Sequence, residues 1–163
     1  MGDTRSTSTN ILYLDFDGVL HPTEPHRPVH TLFESCEVLE SLLKPYPDVS
    51  IVLSTSWVRA HSFDFAKAQL TPDLSSRVIG ATWHTRHLHA SQFDNLSRYL
   101  QIRRDVDLRG PERWLALDDD AEGWDPIDES RLARMPAGFG LSDLAAQSNL
   151  RERLATQFGN HSP

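Results

Sequence analysis

Apolar residues follow two patterns along the chain. Short unbroken runs, "ILYLDF" (11–16), "SIVLST" (50–55) and "RWLALDDD" (113–120), are rich in aliphatic and β-branched residues, and each gives way to polar ones. Runs of this length without polar alternation read as strands buried on both faces. Elsewhere the spacing is helical. "TLFESCEVLESLLKPYP" puts Leu32, Cys36, Leu39 and Leu43 on one stripe, with Thr31 and Glu34 as a capping box and Pro45 as the stop. "TPDLSSRVIG" predicts a short helix capped by Thr71, with Pro72 at its first position. "FDNLSRYLQI" groups Phe93, Leu96, Tyr99 and Leu100 on one face, just ahead of the third strand. "LSDLAAQSNLRERLATQF" predicts a final helix capped by Ser142, with Leu144, Leu150 and Leu154 inward.

Strands alternating with helices predict parallel pairing and a three-layer α/β sheet, whose ligands bind beyond the carboxyl ends of the strands. The three polar strand ends then share one side. A chain of 163 residues that is 39% hydrophobic suits a single domain. Residues 10–158 are assigned to it, between polar tails at 1–9 and 159–163.

Charge narrows the possible partners. The net charge of −7 argues against a surface that attracts nucleic acid over long range. Lys44 and Lys67 are the only lysines, and Cys36 is the only cysteine, so no intrachain disulfide forms. A polar N-terminus and the absence of a long apolar run predict a soluble, cytoplasmic protein with no membrane partner.

The chemistry lies at the strand ends. Asp15 and Asp17 stand two residues apart, so an extended chain points both the same way, and Gly18 then allows a sharp turn. Asp118, Asp119 and Asp120 arrive from another strand end. Converging carboxylates repel, and a hard divalent cation with oxygen ligands, Mg2+ above all, is the simplest neutraliser. One carboxylate can then attack phosphorus while its neighbour moves the proton. The hydroxyls of Ser54, Thr55 and Ser56 could donate to a phosphoryl oxygen.

"YLDFDGVL", "IVLSTSW" and "WLALDDD" together resemble the first, second and fourth motifs of the haloacid dehalogenase (HAD) phosphohydrolases. "LSTSWVRAHSFDFAKAQL" followed by "RVIGAT" is similar, more narrowly, to the HAD-like domains of Swiss-army-knife RNA repair proteins. The resemblance spans residues 10 to 142 and implies a Rossmann-like fold of the HAD type. It implies a Mg2+-dependent phosphatase acting through an aspartyl-phosphate, with Asp15 as nucleophile and Asp17 as acid/base. The Asp17 backbone carbonyl would join Asp15, Asp118 and Asp119 around the metal. The second-motif hydroxyl falls best on Thr55, with Ser54 or Ser56 as alternatives.

The third motif departs from the family. A lysine, or sometimes an arginine, is expected near the start of the helix preceding the fourth-motif strand, and neither lysine lies there. The aligned position falls near Gln92. Arg86, carried by a loop, is preferred as the replacement, with Arg98 as the alternative. That gap motivates a second reading, a HAD-like binding or regulatory module without turnover.

The intervals after Gly18 and after Trp57 are shorter than the roughly 50 residues that an inserted cap domain needs. A capless, open site suits a large substrate such as a phosphorylated polynucleotide end. "HPTEPHRPVH" is the expected specificity loop, with Gly18, Ser54, Ser56 and His21 at the substrate. His84 and His87 are read as possible phosphate contacts rather than ligands of a structural zinc.

Overall fold

The computed structural model describes residues 9–23, 32–83, 88–136 and 138–159. Its centre is a five-stranded, wholly parallel sheet in the order β3-β2-β1-β4-β5. The strands are β1 (Asn10–Leu14), β2 (Val49–Leu53), β3 (Val78–Ala81), β4 (Arg113–Asp118) and β5 (Leu132–Arg134). The α/β architecture expected from the alternating runs is therefore present. β1 is central and pairs with both neighbours, Leu14 lying opposite Leu53 on one side and Leu117 on the other.

Alternation along β1 divides the core in two, because successive side chains leave opposite faces of a strand. Leu12 and Leu14 point into the larger cluster, with Leu39 and Leu43 of α1 (Cys36–Leu43) and Leu150 and Leu154 of α7 (Leu144–Phe158). Ile11 and Tyr13 point into a second cluster with Ile102 and Val106 of α6 (Arg98–Arg109), beside Trp114. Burial on both faces accounts for the lack of polar alternation in the strand sequences. The polar atoms in the second layer are matched: Tyr13 donates to the buried Asp105 at 2.8 Å, which also accepts from Arg109 at 2.8 Å.

Among the described residues, four shorter α-helices lie between β2 and α6, namely α2 (Ser56–Ala60), α3 (Phe63–Ala68), α4 (Pro72–Arg77) and α5 (Ala90–Asp94), and a 3-10 helix (Pro126–Arg131) joins β4 to β5. Among the described residues neither interval holds an inserted domain, and no helix is long and apolar enough to cross a membrane.

Several expected boundaries shift. α1 begins at Cys36 rather than at a Thr31 cap, because Phe33 adopts a left-handed φ of 58° and interrupts the preceding turn. Thr31 itself lies outside the described residues. α7 is capped by Asp143, which accepts from the Ala146 N–H, rather than by Ser142, and Leu144 is 77% exposed. The stretch from Phe93 to Leu100 is two helices, not one. Ser97 caps the second by accepting from the Leu100 N–H, which turns Leu100 outward and puts Arg98 at a helix start.

Candidate active site

The carboxyl ends of β1, β2 and β4 lie side by side because the three strands pair in register. Asp15 follows β1, and its N–H donates to the Leu117 carbonyl at 3.2 Å. Ser54 follows β2 and donates to the Leu14 carbonyl at 2.8 Å. Asp118 ends β4. Ordinary sheet pairing thus brings together residues distant in sequence.

Asp15, Asp118 and Asp119 offer carboxylate oxygens within 4.8 Å of one another. Asp15 Oδ1 accepts from the Phe16 N–H at 2.8 Å, and Asp118 Oδ1 from the Asp120 N–H at 3.0 Å. Asp118 Oδ2 is buried without a hydrogen bond. A buried acceptor without a hydrogen bond, among carboxylates that outnumber the one guanidinium beside them, fits a cation-binding set better than a structural one. Burial, then repulsion from Asp118, pushes the Asp15 carboxyl well above the usual carboxylate range. Burial likewise raises Asp118, against the pull of Arg98.

Arg98 enters from the first turn of α6. Its Nη2 lies 3.8 Å from Asp15 Oδ1 and its Nε 3.4 Å from Asp118 Oδ2, while Nη1 donates to the Ser54 carbonyl. Burial works against the guanidinium charge, yet Asp15 and Asp118 outweigh it and hold Arg98 above its ordinary value. Arg98 thus stands at the start of the helix before β4, the place where the resemblance implies a cation, although the aligned position falls near Gln92. The Ser97 cap was the available sequence signal, masked by an apparently continuous helical stripe. Arg86, His84 and His87 lie outside the described residues, as do residues 24–30 of the expected specificity loop (21–30).

Gly18 has φ +75°, and a Cβ there would sit 2.3 Å from Asp119 Oδ2, so glycine makes room for that carboxylate. The Gly18 N–H donates to the His21 carbonyl at 2.9 Å and so is already engaged within the protein. Thr55 is buried and caps α2 by accepting from the Trp57 N–H at 3.3 Å, which leaves its own hydroxyl hydrogen to donate. The Ser54 hydroxyl is buried beside Arg98, and Ser56 faces solvent.

Asp17 is placed apart from the acidic trio. Its Oδ1 is 2.7 Å from His21 Nε2, and its Oδ2 accepts from the Trp57 indole N–H at 3.0 Å. His21, expected at the substrate, is instead fully buried with both ring nitrogens engaged. Trp124 packs on Tyr99 and donates to the Asp128 carbonyl at 2.8 Å. A cavity of about 700 Å³, lined by Glu37, Lys44, Val49 and Arg77, lies at the opposite end of β2 and brings together none of this chemistry.

The model of a family described as the HAD domain in Swiss Army Knife RNA repair proteins matches residues 11–146, a span that includes every residue of this cluster. No curated protein and no solved structure matches the chain.

Proposed function

Because the chain belongs to the family of HAD domains in Swiss Army Knife RNA repair proteins, we propose that it is a Mg2+-dependent phosphatase acting through an aspartyl-phosphate on Asp15. The observation that carries this reading is the buried Asp15 carboxylate flanked by Asp118, Asp119 and the Arg98 guanidinium. Three converging carboxylates exceed the single charge of Arg98 and so call for a further cation, and with that cation in place the guanidinium can face an anionic group. A phosphoryl group beside a divalent ion satisfies both.

In the first step, Asp15 attacks phosphorus and the bond to the leaving oxygen breaks, with Asp17 supplying the proton that this oxygen takes. In the second, Asp17 removes a proton from water, the water oxygen attacks phosphorus, and the bond to Asp15 breaks to release phosphate. The Thr55 hydroxyl and Arg98 hold the equatorial oxygens, where charge accumulates in the transition state. Asp15, Asp118, Asp119 and the Asp17 backbone carbonyl would hold Mg2+, which when bound neutralises the carboxylates and polarises the phosphoryl group.

The family description supports a phosphorylated polynucleotide end as substrate, and a site without a cap domain suits so large a molecule. The alternative, a binding module without turnover, drew its motive from the missing third-motif lysine. Arg98 now supplies that charge, which favours turnover.

The test is phosphate release from an aryl phosphate and a 3′-phosphorylated oligonucleotide by the wild type and Asp15→Asn, with Mg2+ and with chelator. Release that requires both Mg2+ and Asp15 is expected. Tight Mg2+ binding with no release from either substrate would favour the binding module.

A further inference from the structure

Asp17 has an unusual setting for a side chain that remains 42% exposed. A carboxylate at such a position ordinarily rotates freely, yet each of its oxygens faces a ring N–H. His21 Nδ1 accepts from the Phe33 N–H at 3.2 Å, so the imidazole proton resides on Nε2 and is donated to Asp17 Oδ1 at 2.7 Å. The Trp57 indole N–H takes the other oxygen at 3.0 Å.

Both donors are themselves immobilised. His21 is fully buried, meets Phe33 edge to face at 4.8 Å, and is tied back through its carbonyl to the Gly18 N–H. The Trp57 ring packs edge to face on Phe16 at 5.9 Å and Phe33 at 5.2 Å, and stacks on Phe65 at 6.3 Å. Two rings, one donating to each oxygen and both packed against Phe33, fix a carboxylate that solvent alone would leave free. Phosphate holding does not require such a brace, but proton transfer, which depends on direction, does.

We propose that His21 and Trp57 are positioning residues that aim the Asp17 carboxyl at the leaving oxygen, one donor to each of its oxygens. This rests on the phosphatase reading above. It also assigns the aromatic cluster of Phe16, Phe33 and Phe65 a role in holding the donors.

The experiment exploits the leaving group. Protonation matters greatly for an alkyl leaving oxygen, such as that of a 3′-phosphorylated oligonucleotide, and little for p-nitrophenolate. kcat/KM, which covers only the steps through phosphoryl transfer to Asp15, is measured on both substrates for wild type, His21→Phe, His21→Gln and Trp57→Phe. The phenylalanine variants keep a ring and lose the donor, whereas Gln can restore an N–H near the Nε2 position. We expect the phenylalanine variants to lose about tenfold or more on the oligonucleotide. The loss on p-nitrophenyl phosphate should be several times smaller, and Gln should recover part of the difference.

Equal losses on both substrates, or a rise on either, would overturn the proposal while leaving the phosphatase reading intact. No turnover by the wild type on any phosphate would remove that reading and the proposal with it. Should His21→Phe fail to fold, Trp57→Phe carries the same comparison. Independently of activity, 15N NMR of the imidazole should show the proton on Nε2, and a proton on Nδ1 would overturn the assignment.

Discussion

Replacing Asp118 by asparagine should stabilise the metal-free protein and weaken its response to divalent cations. The three carboxylates offer oxygens within 4.8 Å of one another. At an effective dielectric constant of about 20, each such pair repels by about 3.5 kcal/mol, so two neighbours cost Asp118 about 7 kcal/mol. Arg98 Nε, at 3.4 Å, returns about 5 kcal/mol on the same scale. About 2 kcal/mol remains against folding, before the burial of an Oδ2 without a hydrogen bond is counted. Asparagine keeps the carbonyl that accepts from the Asp120 N–H, but it turns an amide toward Arg98 and gives back about 1 kcal/mol. The net gain, about 1–2 kcal/mol, corresponds to roughly 2–8 °C in Tm for a domain of this size.

The gain has a defined pH dependence. The folded-state value of Asp118 lies above the unfolded 3.8, so stabilisation by its protonated form is complete below 3.8 and lost as pH rises through the folded value. The advantage of Asp118→Asn should therefore be small near pH 4 and grow toward neutrality. Urea denaturation with chelator across this range measures it, and repetition with excess Mg2+ measures the cation response. A variant less stable than wild type in chelator at neutral pH would refute the repulsion argument. An undiminished Mg2+-induced shift would remove Asp118 from the ligand set.

Three further outcomes follow from the site and the core. Arg98→Met should lower kcat/KM by about 10²–10³-fold, with Arg98→Lys recovering only part, because one ammonium cannot match a planar fork spanning two carboxylates and the Ser54 carbonyl. Wild-type activity in Arg98→Met would exclude it from the phosphoryl site. Gly18→Ala puts a Cβ where the Asp119 carboxylate lies, and should cost about 1–2 kcal/mol of backbone strain. Calorimetric titration should also show weaker Mg2+ binding, and wild-type affinity would contradict the close approach. Burial pushes the Cys36 thiol up from 9.0 to about 11. Its contribution to stability is thus complete below pH 9 and lost toward pH 11. The native thiol should resist an aromatic disulfide reagent at pH 8 and react fully in denaturant, and rapid native labelling would refute its burial.

The central strands were legible in the sequence because burial on both faces writes an unbroken apolar run. The edges were not. β3 spans four residues and follows α4 directly, so "RVIG" blends into the helix before it, and β5 spans only three. The acidic cluster was legible because its residues sit immediately at strand ends, where position follows from the sheet alone. Arg98 was harder to place, since the helix break at Asn95–Ser97 is marked by a single capping serine amid apolar spacing that continues across it. The partners of Asp17 depend on tertiary packing, as His21 comes from the turn after β1 and Trp57 from the start of α2, and no sequence spacing relates them.

The ladder of β1, β2 and β4 does not stop where the strands do. Asp15 and Ser54 donate into it from just beyond their strands, and the Asp118 carbonyl accepts from the Met135 N–H at 2.9 Å. Asp15, Ser54 and Asp118 are thus stitched into the most interior part of the molecule. Inherited change in this protein therefore has two very different allowances. A substitution that shifts the chemistry must also be tolerated by the central sheet, whereas exposed positions beyond the strand ends can vary without touching it. New substrate preferences should therefore arise at those positions, leaving the phosphoryl-handling residues in place.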